Sequence, residues 1–232
     1  MIRAVTFDVG GTLIAPFPSV GHIYADVAAA HGVTGLDAAE LDHRFSQAWK
    51  RHRPESYTKS EWARLVDATF EGLTPEPPSR TFFNELYARF TRADCWQVFD
   101  DVMPTLIALR TRGFKLALVS NWDERLRPLL VALELAPCFD ACLISCEVRS
   151  AKPDGMIFAA AAEALDLKAR EILHVGDSDR EDAGGALMAG MQSLLIDRGQ
   201  PAGNGRISDL RQILTHRFLA VPEKAKPSTR PA

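Results

Sequence analysis

A few polar side chains in this sequence stand where they could do chemistry. Asp8 ends the apolar run Ala4-Val5-Thr6-Phe7 and leads into Gly10-Gly11. Ser120 and Asn121 follow Lys115-Leu116-Ala117-Leu118-Val119, and Lys152 lies in a loop closed by Pro153. Asp177 follows Leu173-His174-Val175-Gly176, with Asp182 five residues on. The three aspartates offer the hard oxygen ligands that Mg²⁺ prefers, while Ser120 and Lys152 can hold anionic oxygens by hydroxyl and ammonium. The paired glycines Gly10 and Gly11 let the backbone turn sharply and come close to a bound anion. A metal between carboxylates, with a lysine nearby, is an arrangement that stabilises a phosphoryl group in transfer. Each residue also has an ordinary reading: a turn aspartate for Asp8, a turn serine for Ser120, a solvated charge for Lys152, a helix cap for Asp177.

The elements that carry these residues decide between the two readings. Ala4 to Phe7, Lys115 to Val119, Ala141 to Ile144, Glu171 to Val175 and Ser193 to Asp197 are short apolar runs that read as buried strands. Helical patterns separate them: Asp101 can cap a helix to Arg112, another surrounds Arg125 to Leu133, an alanine-rich one follows Pro153 to Leu165, and one ends at Gly190. Strands alternating with helices imply a parallel sheet with both faces covered, an α/β fold of Rossmann-like type in three layers. In such a sheet, ligands bind outside the carboxyl ends of the strands. Asp8, Ser120, Asn121, Lys152 and Asp177 all fall at that edge, so the ordinary readings would have to coincide in one place.

Between the first and second strands the texture is helical only. Ser19 is a plausible cap for a helix through His31, stopped by Gly32. Leu41, Phe45, Ala48 and Trp49 recur at helical spacing, as do Trp62, Leu65, Val66 and Phe70, then Phe82, Leu86, Tyr87 and Phe90. Breaks at Pro54 to Thr58 and Pro75-Glu76-Pro77-Pro78 read as interhelical loops. The expected organisation is an α/β core from residues 1–14 and 95–219, an inserted all-helical cap at 15–94, and a flexible tail at 220–232.

The segments Asp8-Val9-Gly10-Gly11-Thr12-Leu13, Val119-Ser120-Asn121, Lys152-Pro153-Asp154 and Gly176-Asp177-Ser178 through Asp182 resemble the four ordered motifs of the haloacid dehalogenase-like hydrolases. The inserted helices resemble the cap of the subgroup containing dehalogenases, phosphoglycolate-type phosphatases and phosphonatases. The resemblance implies that Asp8 is a nucleophile forming a covalent aspartyl intermediate, and that Thr12 orients the first motif. It implies that Ser120 and Lys152 bind the transferring group, with Asn121 and Gly11 beside it. It also implies Mg²⁺ held by Asp8, the backbone carbonyl of Gly10, Asp177 and Asp182, the last directly or through water.

Residue 10 departs from the family pattern. Phosphatases of the family carry a second aspartate there as acid and base, and losing a positioned proton donor costs about 10²- to 10⁴-fold in rate. Glycine suits a phosphatase acting on aryl or acyl phosphates, or one that borrows an acid from the cap. It also suits a dehalogenase, whose halide needs no proton, or a phosphonatase using a cap lysine, for which Lys50 and Lys59 are the candidates. A catalytically silent binding protein is a further reading. Asp-x-Gly-Gly-Thr also occurs in sugar-kinase and actin-like ATPases, but those continue into a β-hairpin and this chain continues into helices. The acidic pair Asp177 and Asp182 favours phosphoryl chemistry on a small phosphorylated metabolite.

With 47% hydrophobic and 25% charged residues among 232, the chain is globular, and a net charge of −3 gives no reason to expect nucleic acid or an anionic membrane as partner. No apolar run approaches the length of a membrane span and no leader is recognisable, so the expected compartment is the cytoplasm. Cys138, Cys142 and Cys146 recur every fourth residue, but a strand through Ala141 to Ile144 would part them, and they read as structural thiols. His174, on a buried strand, is expected to fill core or bond a neighbour. The run Lys50-Arg51-His52-Arg53 reads as a solvated corner, and Trp96, Trp122 and Phe17 as packing residues that could line a cap–core cleft. Oligomeric state cannot be read from the sequence.

Overall fold

Strand β1 (Ala4–Phe7) is buried along its whole length and lies at the centre of the sheet. The computed structural model describes residues 1–219 apart from Arg53 and Asn204, so the tail expected at 220–232 lies outside the described residues, as does Arg53 of the basic run. After β1 come β2 (Ile14–Pro16) and the helices α1 (Val20–Ala30), α2 (Ala38–Arg51), α3 (Lys59–Thr69) and α4 (Phe83–Arg89), followed by β3 (Trp96–Val98). Then α5 (Val102–Thr111), β4 (Lys115–Ser120), α6 (Leu126–Ala132), β5 (Ala141–Ile144), α7 (Ser145–Val148) and α8 (Gly155–Ala164) lead to β6 (Ile172–Gly176). Finally α9 (Gly185–Met188), β7 (Gln192–Ile196) and β8 (Arg206–Ile207) close the order.

Six strands form one parallel sheet in the order β5-β4-β1-β6-β7-β8. Because side chains alternate along a strand, each strand divides its residues between two cores. Val5, Phe7, Leu116, Leu118, Leu173 and Val175 face one side, packed with Leu106 and Leu109 of α5 and Leu126 and Leu129 of α6. Ala4, Ala117, Val119 and Ile172 face the other, packed with Ile157 and Phe158 of α8 and Ala186 of α9. Sheet and flanking helices thus make the three-layer, Rossmann-like α/β architecture. Register sets the active edge: Phe7 pairs with Leu118 on one side and Val175 on the other. Asp8, Ser120 and Asp177 therefore emerge together just past the strands' carboxyl ends.

The four helices α1 to α4 gather around a separate, aromatic-rich cluster that includes Tyr24, Phe70, Phe82, Phe83 and Tyr87. Ser19 caps α1 by accepting from the His22 N–H, as its position predicts, and Thr58 with Glu61 forms a capping box at α3. Strands β2 and β3, too short to be evident in the sequence, pair antiparallel where the chain leaves and re-enters the α/β part. Asp101 stands at the start of α5 but makes no capping bond. Its carboxylate instead holds Arg198 at 2.9 and 3.0 Å and accepts from the Leu210 N–H at 2.7 Å. The helix expected after Asp177 begins as a π-helical turn, Asp179–Gly184, before α9. Strand β8 and the 3₁₀ segment Leu210–Thr215 have no clear signature in the sequence.

Candidate active site

Asp8 is almost fully buried at the end of β1, and two donors from distant segments converge on its Oδ1. Lys152 Nζ donates to it at 2.6 Å and Ser120 Oγ at 3.1 Å. The same ammonium donates to Asp182 Oδ1 at 2.5 Å, so one buried lysine links the carboxylate after β1 to one in the turn after the neighbouring β6. Asp182 also accepts from His174 Nε2 at 3.0 Å on Oδ1 and from the Ser178 N–H at 2.9 Å on Oδ2. Gly176 makes this possible, since a Cβ there would collide with the Asp182 side chain. The π-helical turn after Asp177 swings Asp182 back toward β6, a use of irregular helix common at functional sites.

A carboxylate can only accept, so His174 Nε2 carries the proton and Nδ1 accepts from Thr6 Oγ1 at 2.9 Å. Burial holds His174 below its usual pKa against the opposing pull of Asp182, keeping it a neutral donor. Burial alone would raise Asp182, but the charge of Lys152 and the His174 hydrogen bond hold it well below the carboxylate range. Burial would likewise lower Lys152, yet Asp182 and Asp8 hold it above its ordinary range. Asp8 is raised, first by burial and then by Asp182, with Lys152 opposing. Asp177 reaches solvent at the cavity but is densely surrounded; burial, then the charges of Asp8 and Asp182, push it up to about 7.

Ligand atoms of Asp8, Asp177 and Asp182 all lie within 4.8 Å of one another, the one such acidic group among the described residues. Three carboxylates against one ammonium leave an excess of two negative charges when all are ionised, and their oxygens are the ligands a hard divalent cation takes. Gly11, at φ 77°, completes the fit: a Cβ there would collide with the Asp177 carboxylate, so only glycine leaves that oxygen room. The donor set therefore fits Mg²⁺.

Asn121 joins the cluster through the backbone of its neighbour. Its Oδ1 accepts from the Lys152 N–H at 2.7 Å and its Nδ2 donates to the Lys152 carbonyl at 2.9 Å, clamping the loop that presents the lysine. Thr12 is fully buried outside the cavity wall, its carbonyl accepting from Arg198 Nη2 at 2.7 Å and its hydroxyl without a partner among the described residues. Above Asp8 lies a cavity of about 470 Å³ between the sheet edge and α1 to α4. Trp96 and Trp122 line it, whereas Phe17 is 50% exposed and does not. Lys50 and Lys59 are exposed and also outside the lining. Aromatics of the helical insertion such as Trp49, Tyr57 and Trp62 complete the wall, and the sequence offered only one signal for them, the density of rings at helical spacing. Cys95 is buried and the other three thiols are half-buried, all unpaired, and none belongs to an acidic or thiol ligand group among the described residues.

Comparison with known proteins identifies a family. The family model of haloacid dehalogenase-like hydrolases matches residues 2–190. A mouse (Mus musculus) protein described as haloacid dehalogenase-like hydrolase domain-containing protein 3 is 35% identical over 211 residues, covering 86% of this chain and 84% of its own. A glyceraldehyde 3-phosphate phosphatase from Methanopyrus kandleri is 30% identical over 210 residues, covering 86% of each chain. Among solved structures, the L-2-haloacid dehalogenase of Xanthobacter autotrophicus is 25% identical with a TM-score of 0.67, covering 87% of this chain and 80% of that one. With the matched motifs converging on Asp8, the chain belongs to the haloacid dehalogenase-like hydrolases and is a hydrolase.

Proposed function

We propose that this hydrolase is a Mg²⁺-dependent phosphatase acting on a small phosphorylated molecule through an aspartyl phosphate on Asp8. The observation that carries the reading is the acidic cluster: ligand atoms of Asp177 lie within 4.8 Å of those of Asp8 and Asp182, the two carboxylates that share the Lys152 ammonium. Halide displacement needs no such excess of negative charge, whereas transfer of a dianionic phosphoryl group does need a cation to offset it. Bound Mg²⁺ would be held by Asp8, Asp177, Asp182 and the Gly10 carbonyl, and would neutralise phosphoryl charge and lower the Asp8 pKa. Helices α1 to α4 act as the cap.

In the first step a carboxylate oxygen of Asp8 forms a bond to phosphorus while the ester P–O bond breaks, and the leaving oxygen takes the electron pair. Ser120 and Lys152 hold the non-bridging oxygens, with Thr12 and Gly11 shaping the loop beneath. Water then attacks phosphorus and gives up a proton to solvent, the bond between phosphorus and the Asp8 oxygen breaks with its electron pair returning to the carboxylate, and inorganic phosphate departs. Asn121 serves by fixing the Lys152 loop. The exposure of Lys50 and Lys59 argues against a Schiff-base phosphonatase. A panel of phosphomonoesters, acyl phosphates, phosphonates and 2-haloacids, assayed with Mg²⁺ and with chelator, tests the reading. Phosphate release that needs Mg²⁺ is expected, and halide release independent of metal would replace phosphatase with dehalogenase.

A further inference from the structure

Gly10, where family phosphatases carry their acid, is not merely bare. A Cβ placed on it would lie 3.3 Å from Cζ3 of Trp122, closer than side chains ordinarily pack, so the indole covers the space a residue-10 side chain would enter. The Trp122 main chain is held: its backbone N–H donates to Ser145 Oγ at 3.0 Å, and its carbonyl accepts from that hydroxyl at 3.0 Å and from the Cys146 N–H at 3.3 Å. Its ring packs on Trp96 with centroids 5.2 Å apart. Residue 10 offers no proton donor, and a side chain there would have to push the indole back by a few tenths of an ångström.

The cavity that would hold the leaving group is aromatic, and among the described residues that line it no cation is unengaged. Trp49, Tyr57, Trp62, Trp96 and Trp122 contribute rings to its wall. Of the two cations lining it among the described residues, Lys152 is engaged by Asp8 and Asp182. The other, Arg125, is bound through Nε and Nη2 to the Asp123 carboxylate at 2.7 to 3.1 Å and through Nη1 to the Tyr87 carbonyl at 3.1 Å. Its guanidinium also lies 3.6 Å from the Tyr87 ring centroid. A leaving group carrying its own carboxylate or second phosphate would enter an apolar chamber with no free counter-charge, and burying an unpaired charge is costly.

Resting on the phosphatase reading, we infer that the substrate is a phosphate ester of an uncharged, planar aromatic alcohol, with Trp122 as the residue that selects it. A ring packs on ring faces, and its oxygen departs as a stabilised anion that needs little protonation. The bond changes are those given above, with an aryl oxide as the leaving species that takes its proton from solvent.

The full-length protein with Mg²⁺ is assayed on 2-naphthyl phosphate, acetyl phosphate, glycerol phosphate and phosphoglycolate. The expected KM for 2-naphthyl phosphate is at least tenfold below that for acetyl phosphate, whose leaving group is good but too small to fill the chamber. The expected kcat/KM for the last two is at least a hundredfold below that for the naphthyl ester. Trp122→Ala should raise the naphthyl KM about tenfold, and Trp122→Phe, which keeps a ring, much less. Alkyl or carboxylate-bearing esters turned over as well as the aryl ester would overturn the inference. Should no phosphate compound be hydrolysed, the phosphatase reading fails but the chamber can still be judged. Quenching of tryptophan fluorescence would then show 2-naphthylmethylphosphonate binding tenfold tighter than methylphosphonate, and equal affinities would refute an aromatic-selective site.

Discussion

Lys152 neutralises two buried carboxylates at once, and its removal is the sharpest test of how the site is held. Lys152→Met would leave Asp8 and Asp182 buried together without their ammonium, and breaking a buried pair by deleting one partner typically costs about 3–5 kcal/mol. Urea unfolding at pH 8 without metal should show a loss of that order; a loss under about 1 kcal/mol would mean that the carboxylates are solvated enough to do without it. Asp177 supplies a pH signature. Its pKa is raised from 3.8 to about 7, so its contribution to stability is fully present below its ordinary pKa and is lost as pH rises through about 7. Asp182 runs the other way: its lowered pKa gives a contribution present above the ordinary carboxylate range and lost on acidification. Mg²⁺ held as proposed would bind the ionised Asp177, so the rise in Tm on adding Mg²⁺ should be larger at pH 8 than at pH 5.5. A rise of equal size at both pH values would remove Asp177 from the metal's ligands. The tight approach of Trp122 to a residue-10 side chain, 3.3 Å from Cβ, also means that Gly10→Asp alone needs the indole to give way before the acid is restored. The double change Gly10→Asp with Trp122→Ala should raise turnover of alkyl phosphates above that of Gly10→Asp alone, and no difference would show that Trp122 does not limit the position.

At the scale of elements, the strands were legible because a parallel strand covered on both faces reads as a near-continuous apolar run, as Leu116 to Val119 does and as Ile172 to Val175 does apart from His174. The carboxyl-edge rule then brings Asp8, Ser120, Lys152 and Asp177 together from the sequence alone. Elements of two or three residues, β2, β3 and β8, carry too little pattern to be read. Asp101 misleads for a different reason: a capping aspartate and an ion-pairing aspartate look alike until Arg198, 97 residues away, is placed beside it. The cavity was illegible because rings at helical spacing, such as Phe45, Trp49 and Trp62, read the same whether they fill a core or line a chamber. Arg125 joins the two parts, bonding the Tyr87 carbonyl in α4 from the start of α6 and stacking on the Tyr87 ring, while Tyr87 Oη donates to Glu124 at 3.0 Å. Arg125→Lys keeps the charge but loses the planar fork and stack. It should cost about 1–3 kcal/mol and raise KM more than it lowers kcat, measured by urea unfolding and steady-state kinetics. A fall in kcat at constant KM would instead tie Arg125 to the chemical step.

Across the whole molecule, the architecture separates tasks. The sheet edge brings the acidic cluster, the lysine and the serine to one carboxylate, and the aromatic helices close a chamber above it. Among the described residues no helix is long and apolar enough to cross a membrane. The central claim is that Asp8 forms a covalent phosphoryl intermediate, and Asp8→Asn tests it most directly. An amide keeps the size of the side chain but loses the negative charge and most of its nucleophilicity. The protein, its fold checked by circular dichroism, is incubated with an aryl phosphate and Mg²⁺, and phosphate release is followed together with acid-stable, hydroxylamine-labile label on the chain. The account predicts labelled wild-type protein and, for Asp8→Asn, neither label nor turnover above about a thousandth of the wild-type rate. A folded Asp8→Asn protein that turns over at the wild-type rate would contradict it.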